Sequence, residues 1–148
     1  LFIVHYGMAT LGVRLAPALS AAVALSLYAA GFLGEIWRGA IEAVPRPQWE
    51  AAKSLGVGRT QALLLLIAPQ AIWIALPATV GFLVSLMKVT SLAAIIGVVE
   101  LTKSGMVIAN MSFEPMLVYG LIAAIYLAMC WPMSLLSRHL EKAQHATR

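Results

Sequence analysis

The chain reads as an all-α, polytopic membrane helix bundle, and three observations predict it. Its 148 residues are 61% hydrophobic and 11% charged, whereas soluble domains carry about 25% charged residues. Mean hydropathy is +0.90. The charges border apolar intervals that are long enough to cross a bilayer. The net charge of +4 arises at those borders, with no alternation of bases and aromatics on a polar domain. Membrane orientation accounts for such bases, and nucleic acid is not an expected partner.

Leu1 to about Gly12 is apolar from its first residue, with no basic segment ahead of it, so it is not a signal peptide. It reads as the end of an earlier span, and the chain as beginning partway through that span. Residues 15–34, between Arg14 and Glu35, suffice for one helical crossing. Ala18, Ala22, Ser26, Ala30 and Gly34 recur there at every fourth position. They form a stripe of small side chains suited to close packing against another helix, of this chain or a second one. Residues 60–87, between Arg59 and Lys88, would reach roughly 40 Å as one straight helix, beyond a hydrocarbon core of about 30 Å. Pro69 and Pro77 interrupt the run, which predicts an interfacial segment near 60–69 and a span from about 70 to 90. Residues 115–137, between Glu114 and Arg138, form the last span, with Pro132 near its end and a tail over about 138–148.

The bases set the orientation. Arg38, Arg46, Lys53 and Arg59 lie in one connection, and Arg138, Lys142 and Arg148 lie in the tail: seven of the ten Lys and Arg. The positive-inside rule makes that side, and with it the C-terminus, cytoplasmic. The three spans then run inward, outward and inward.

The cytoplasmic loop, about 38–60, holds a polar, helix-prone island, Glu50-Ala51-Ala52-Lys53-Ser54-Leu55-Gly56. Pro47 suits a first helical position, Glu50 in the first turn complements the helix dipole, and Gly56 suits the left-handed position that ends a helix. Thr60 is placed to cap the next helix. Ala51, Ala52 and Leu55, with Trp49 at their base, make an apolar knob too small for a core. It fits a groove on another protein, or else an interfacial helix lying on lipid headgroups.

Glu50-Ala51-Ala52, Gly56 after three intervening residues, and Pro69 after a further interval resemble the conserved cytoplasmic loop of permease subunits of bacterial ABC importers. The pattern's Ile and Leu positions hold Leu66 and Ala68. Glu35-Ile36-Trp37-Arg38-Gly39-Ala40-Ile41, Pro69-Gln70-Ala71-Ile72, Thr90-Ser91-Leu92, Ile96-Gly97-Val98 and Glu100-Leu101-Thr102 look like the polar amino-acid importers of the histidine/glutamine type. The resemblance runs from about residue 1 to 143. Pro47 stands where that family often has Gly, and Val89 where it often has Asp after the Lys. The latter departure weakens any transfer of ion pairing to this spot. Five spans are usual in the family, so the resemblance implies that one span and part of another are missing from the start.

The resemblance implies an ABC importer type I permease-like fold in the bacterial inner membrane, moving a polar amino acid by alternating access. Implied partners are ATP-binding cassette ATPase subunits, a second permease copy or paralogue, and a periplasmic or lipoprotein solute-binding protein. Glu50, Ala51, Ala52, Leu55 and Gly56 would couple to the ATPase. The resemblance implies a transport subunit driven by a separate ATPase; the chain has no Gly-x-x-x-x-Gly-Lys-Ser/Thr phosphate loop, so it is not expected to hydrolyse ATP by that chemistry, and no cofactor is expected.

Lys88, Thr90 and Ser91, near the outer end of the second complete span, and Glu100 beyond it are candidates for the substrate pathway. A charge at the bilayer centre costs about 2.5–3.5 kcal/mol, so Lys88 faces a wet cavity or snorkels outward. Glu100 and Thr102 are expected on the outer side, where a binding protein would dock, and Glu35 and Arg38 as an ion pair one turn apart. Cys130 reads as a packing residue. The histidines show no metal spacing, and the chain contains no Asp, so neither a metal site nor a Ser-His-Asp set can be assembled. An ion-coupled secondary transporter or channel is the alternative. It would need internal repeats and a carboxylate at mid-depth, and the sequence places none there.

Overall fold

The computed structural model describes residues 1–146, with side chains described to Ala143. The expected tail extends to Thr147 and Arg148, which lie outside the described residues. Every element among the described residues is helical. Helix α1 spans Phe2–Thr10, α2 Pro17–Glu42, α3 Arg46–Ser54, α4 Arg59–Ala62, α5 Ala68–Val89, α6 Leu101–Ser112 and α7 Pro115–Ala146. A π-helical turn, Leu63–Ile67, joins α4 to α5, and a 3₁₀ segment, Thr90–Ile96, follows α5.

Among the described residues, three stretches are long and apolar enough to cross a membrane: Pro17–Glu42, Arg59–Ile96 and Pro115–Ala143. Each is longer than the span read from charges, because a helix does not end where hydrocarbon does. Arg38 with Glu35 and Glu42, for example, carries α2 on through its polar end. The expected break between an interfacial segment at 60–69 and a span from 70 is absent. The chain stays helical and absorbs Pro69 by widening one turn: the Ala68 N–H bonds the Leu63 carbonyl, five residues back. A proline ring collides with the carbonyl four residues before it, and a wider turn relieves that collision.

The chain divides into two compact units. The first contains Leu1–Ala30 and Leu83–Pro132. In it Ala21, Ala93 and Ile96 form one small core, with Leu1 and Val98 against it. His5 Nδ1 lies 2.9 Å from Ser20 Oγ, joining α1 to α2. Ala109, Val118 and Ile122 form a second core between α6 and α7. Gly105 permits that approach, since a Cβ there would stand 2.0 Å from Ile122 Cδ1.

The second unit contains Gly31–Phe82 and residues 133–146. Its core is Ala40, Val44, Ile67, Ala71 and Ala75, against which Ile36, Ile41, Trp49, Leu63 and Ile74 pack. The end of α2, the base of α3, the π turn and the start of α5 therefore share one interior. Cys130 is buried, as a packing residue should be. The small-residue stripe of α2 is exposed along its length; the face buried within this chain lies beside it, at Ser20, Ala21 and Ala24.

Candidate functional site

Helix α3 starts one residue before its expected first position. Pro45, at φ −56° and ψ 133°, is the N-cap, and Pro47 falls second in the helix. A proline in the first turn removes a donor that has no intrahelical partner, so both prolines are tolerated. The early start moves Glu50 to the fifth helical position, out of the first turn where it was expected. The next helix is capped by the backbone of Gly58 at φ −60°, ψ 148° and has no side-chain cap. Thr60 lies inside α4, contrary to its expected capping role.

The C-terminus of α3 matches the expectation closely. Gly56 has φ +71°, a conformation that costs an L-residue about 1–2 kcal/mol. The Gly56 N–H bonds the Lys53 carbonyl at 3.0 Å, and the Val57 N–H bonds the Ala52 carbonyl at 3.0 Å. This reciprocal pair is a Schellman motif, which satisfies carbonyls that a bare helix end leaves open. Lys53 in the last turn complements the negative end of the dipole.

The two sides of α3 have different tasks. Trp49 and Ala52, three residues apart, share the inward face; Trp49 packs on the core of the second unit and Ala52 is 1% exposed. Glu50, Ala51 and Gly56 are exposed, and Leu55 is 80% exposed. The expected docking set thus divides: Ala52 anchors the helix, while Glu50, Ala51, Leu55 and Gly56 remain on its open side.

The residues expected along a substrate pathway fall in the first unit, where α5 tightens into its 3₁₀ segment. Lys88 is exposed. The Thr90 hydroxyl donates to the Met87 carbonyl at 2.6 Å, and the Ser91 hydroxyl donates to the Lys88 carbonyl at 2.7 Å. Both hydroxyls are engaged by the backbone of their own turn.

Glu100 is the N-cap of α6, its Oε1 accepting from the Lys103 N–H at 2.8 Å. The Tyr126 hydroxyl donates to Glu100 Oε2 at 3.3 Å and lies 3.3 Å from Thr102 Oγ1. Helix α6 returns antiparallel along α7, with Gly105 against Ile122 and Glu100 against Tyr126. Tyr126 lies eleven residues after Pro115, roughly 16 Å along the helix at 1.5 Å per residue. Glu100 and Thr102 therefore stand level with the interior of the 115–137 stretch. A carboxylate thus lies beside the middle of an apolar stretch, where the sequence placed none.

Sequence reasoning missed Tyr126 and Ser137. Their signal was available, because polar side chains inside an apolar span seek partners within the protein. Glu35 and Arg38 pair as expected, and Glu42 joins them, 2.8 Å from Arg38.

The family of binding-protein-dependent transport system inner membrane components matches residues 1–145. The probable amino-acid ABC transporter permease protein YckA of Bacillus subtilis (strain 168) is 39% identical over 142 residues, covering 96% of this chain and 63% of that protein. The L-cystine transport system permease protein TcyB of the same organism is 36% identical over 143 residues, covering 96% of this chain and 61% of its own length. The crystal structure of an amino acid ABC transporter with histidines superposes with a TM-score of 0.89 at 30% identity, covering 96% of this chain and 66% of that one. The chain thus spans a little under two thirds of these two relatives.

Proposed function

The chain belongs to the family of binding-protein-dependent transport system inner membrane components, and from that premise we propose that it is the membrane-crossing part of an ATP-driven importer of polar amino acids. A separate ATP-binding cassette ATPase docks on α3, whose motion passes into the spans by alternating access. A second permease copy or paralogue completes the passage, and a solute-binding protein delivers cargo from the outer side. The loop 38–60 and the C-terminus face the cytoplasm of a bacterial cell, as the clustered bases favour.

The observation that carries this reading is the two-sided α3. A helix seated on the protein interior through Trp49 and Ala52, holding Leu55 80% exposed, is built to receive a partner. Relatives named for cystine, glutamine and arginine support amino acids as the cargo class. The depth of Glu100 is a feature that an ion-coupled carrier would also use. Family membership favours the ATP-driven reading.

The test is Leu55→Ala, read by co-purification of the ATPase with the permease. Burying a leucine side chain stabilises by roughly 1.5–3 kcal/mol, so affinity should fall by about tenfold or more. Parental recovery of the ATPase with the variant would refute docking at this face.

A further inference from the structure

Two prolines interrupt the helix that leaves the loop, and they sit in different surroundings. Pro69 follows a π turn whose Ile67 is 0% exposed in the core of the second unit, so that break is clamped on several sides. Pro77 lies inside α5, just past Ala75, the last core residue of the same cluster. It has no N–H to give the carbonyl four residues before it, and the helix is weaker there by one backbone bond.

What holds that weak point is a side chain of α7. The Ser137 hydroxyl donates to the Pro77 carbonyl at 3.0 Å, with Ser137 7% exposed. A Cβ at Gly81, one turn beyond, would stand in ordinary contact, 3.5 Å from Ser137 Oγ. Between them, the Thr79 Oγ1 is buried without a hydrogen-bond partner, a state that native interiors seldom tolerate.

We propose that α5 bends at Pro77 and that the Ser137 hydroxyl is the latch that sets its resting angle. On one side of the hinge, α3, the end of α2, the π turn and Ala71–Ala75 move as a single packed body, because they share one core. On the other side lies the rest of α5, from Ala78 on. The Thr79 hydroxyl is a spare donor beside the proline break, free to take up a backbone carbonyl that bending exposes. This hinge rests on the coupling reading above.

The experiment uses the complete permease assembled with its ATPase in lipid vesicles, with spin labels at Ser54→Cys and Lys142→Cys in a Cys130→Ala background. The label separation is measured with and without nucleotide. In the otherwise unmodified protein the separation should change on nucleotide binding. Ser137→Ala should shift the nucleotide-free distribution toward the nucleotide-bound one by about threefold to tenfold in population, the factor that one neutral hydrogen bond represents. Ser137→Thr, which keeps the hydroxyl, should retain the parental distribution. Pro77→Ala restores the backbone donor and should suppress the nucleotide response while the ATPase still co-purifies. Parental responses in both Ser137→Ala and Pro77→Ala would overturn the hinge and leave the coupling reading standing. No nucleotide response in the unmodified protein would overturn the coupling reading, and the hinge with it.

Discussion

Replacing Gly56 separates backbone geometry from side-chain contact at the coupling loop. Gly56 sits at φ +71° with no atom within 4 Å of the position a Cβ would take. Gly56→Ala therefore meets no clash, and its whole effect comes from the backbone. The left-handed conformation costs an L-residue about 1–2 kcal/mol. The methyl group also narrows the opened ensemble, which offsets about 0.4–1 kcal/mol. The net loss is about 1 kcal/mol, which raises the opened population of the α3 terminus by about fivefold. Hydrogen exchange at the Gly56 and Val57 positions reads this directly, because those two N–H groups close the Schellman motif. Ala and Leu at position 56 should accelerate exchange equally in the isolated permease, and Asn, which tolerates the left-handed region, should do so less. Parental exchange in the Ala variant, or a Leu variant far worse than Ala, would refute the reasoning. Within the assembled transporter the same variants should lower uptake per ATP hydrolysed, because a frayed α3 transmits less displacement.

Gly105→Val should destabilise the α6–α7 hairpin by about 1–3 kcal/mol, the usual cost of overpacking, since even a Cβ lies 2.0 Å from Ile122 Cδ1 and 3.0 Å from Ile122 Cγ1; a thermal melt of the purified permease measures it, and Ile122→Ala should restore part of the loss. Tyr126→Phe removes the hydroxyl next to Glu100 and Thr102 and should cost about 1 kcal/mol. Faster hydrogen exchange at the Lys103 amide, which Glu100 caps, would report it, and unchanged exchange would show that Tyr126 does not hold the cap.

The spans, the α3 island and its left-handed glycine were legible because each has a local cause. Apolar intervals bounded by charges determine where helices cross, and a glycine after a polar helix marks its end. The π turn was not legible, since Leu63–Ile67 carries no breaker of its own and answers to Pro69 downstream. Helix α6 was not legible either: twelve residues interrupted by Lys103 and Gly105 are too few and too mixed for a span, and they pack against α7 and the 3₁₀ segment. The inward turn of Ala52 and the depth of Glu100 depend on long-range packing, which no local pattern reports. Among the loop residues, Ala51 and Ala52 are chemically identical neighbours, and only the fold distinguishes the exposed one from the anchor.

The most direct measurement is site-directed crosslinking from Leu55→Cys, in a Cys130→Ala background, within membranes that hold the complete transporter. A thiol-reactive photocrosslinker at this position should be reached from the cytoplasmic side and should join the permease to its ATPase, with a yield that changes on ATP binding. Modification of the position only from the outer face, or crosslinks to lipid alone in the presence of the ATPase, would contradict the account.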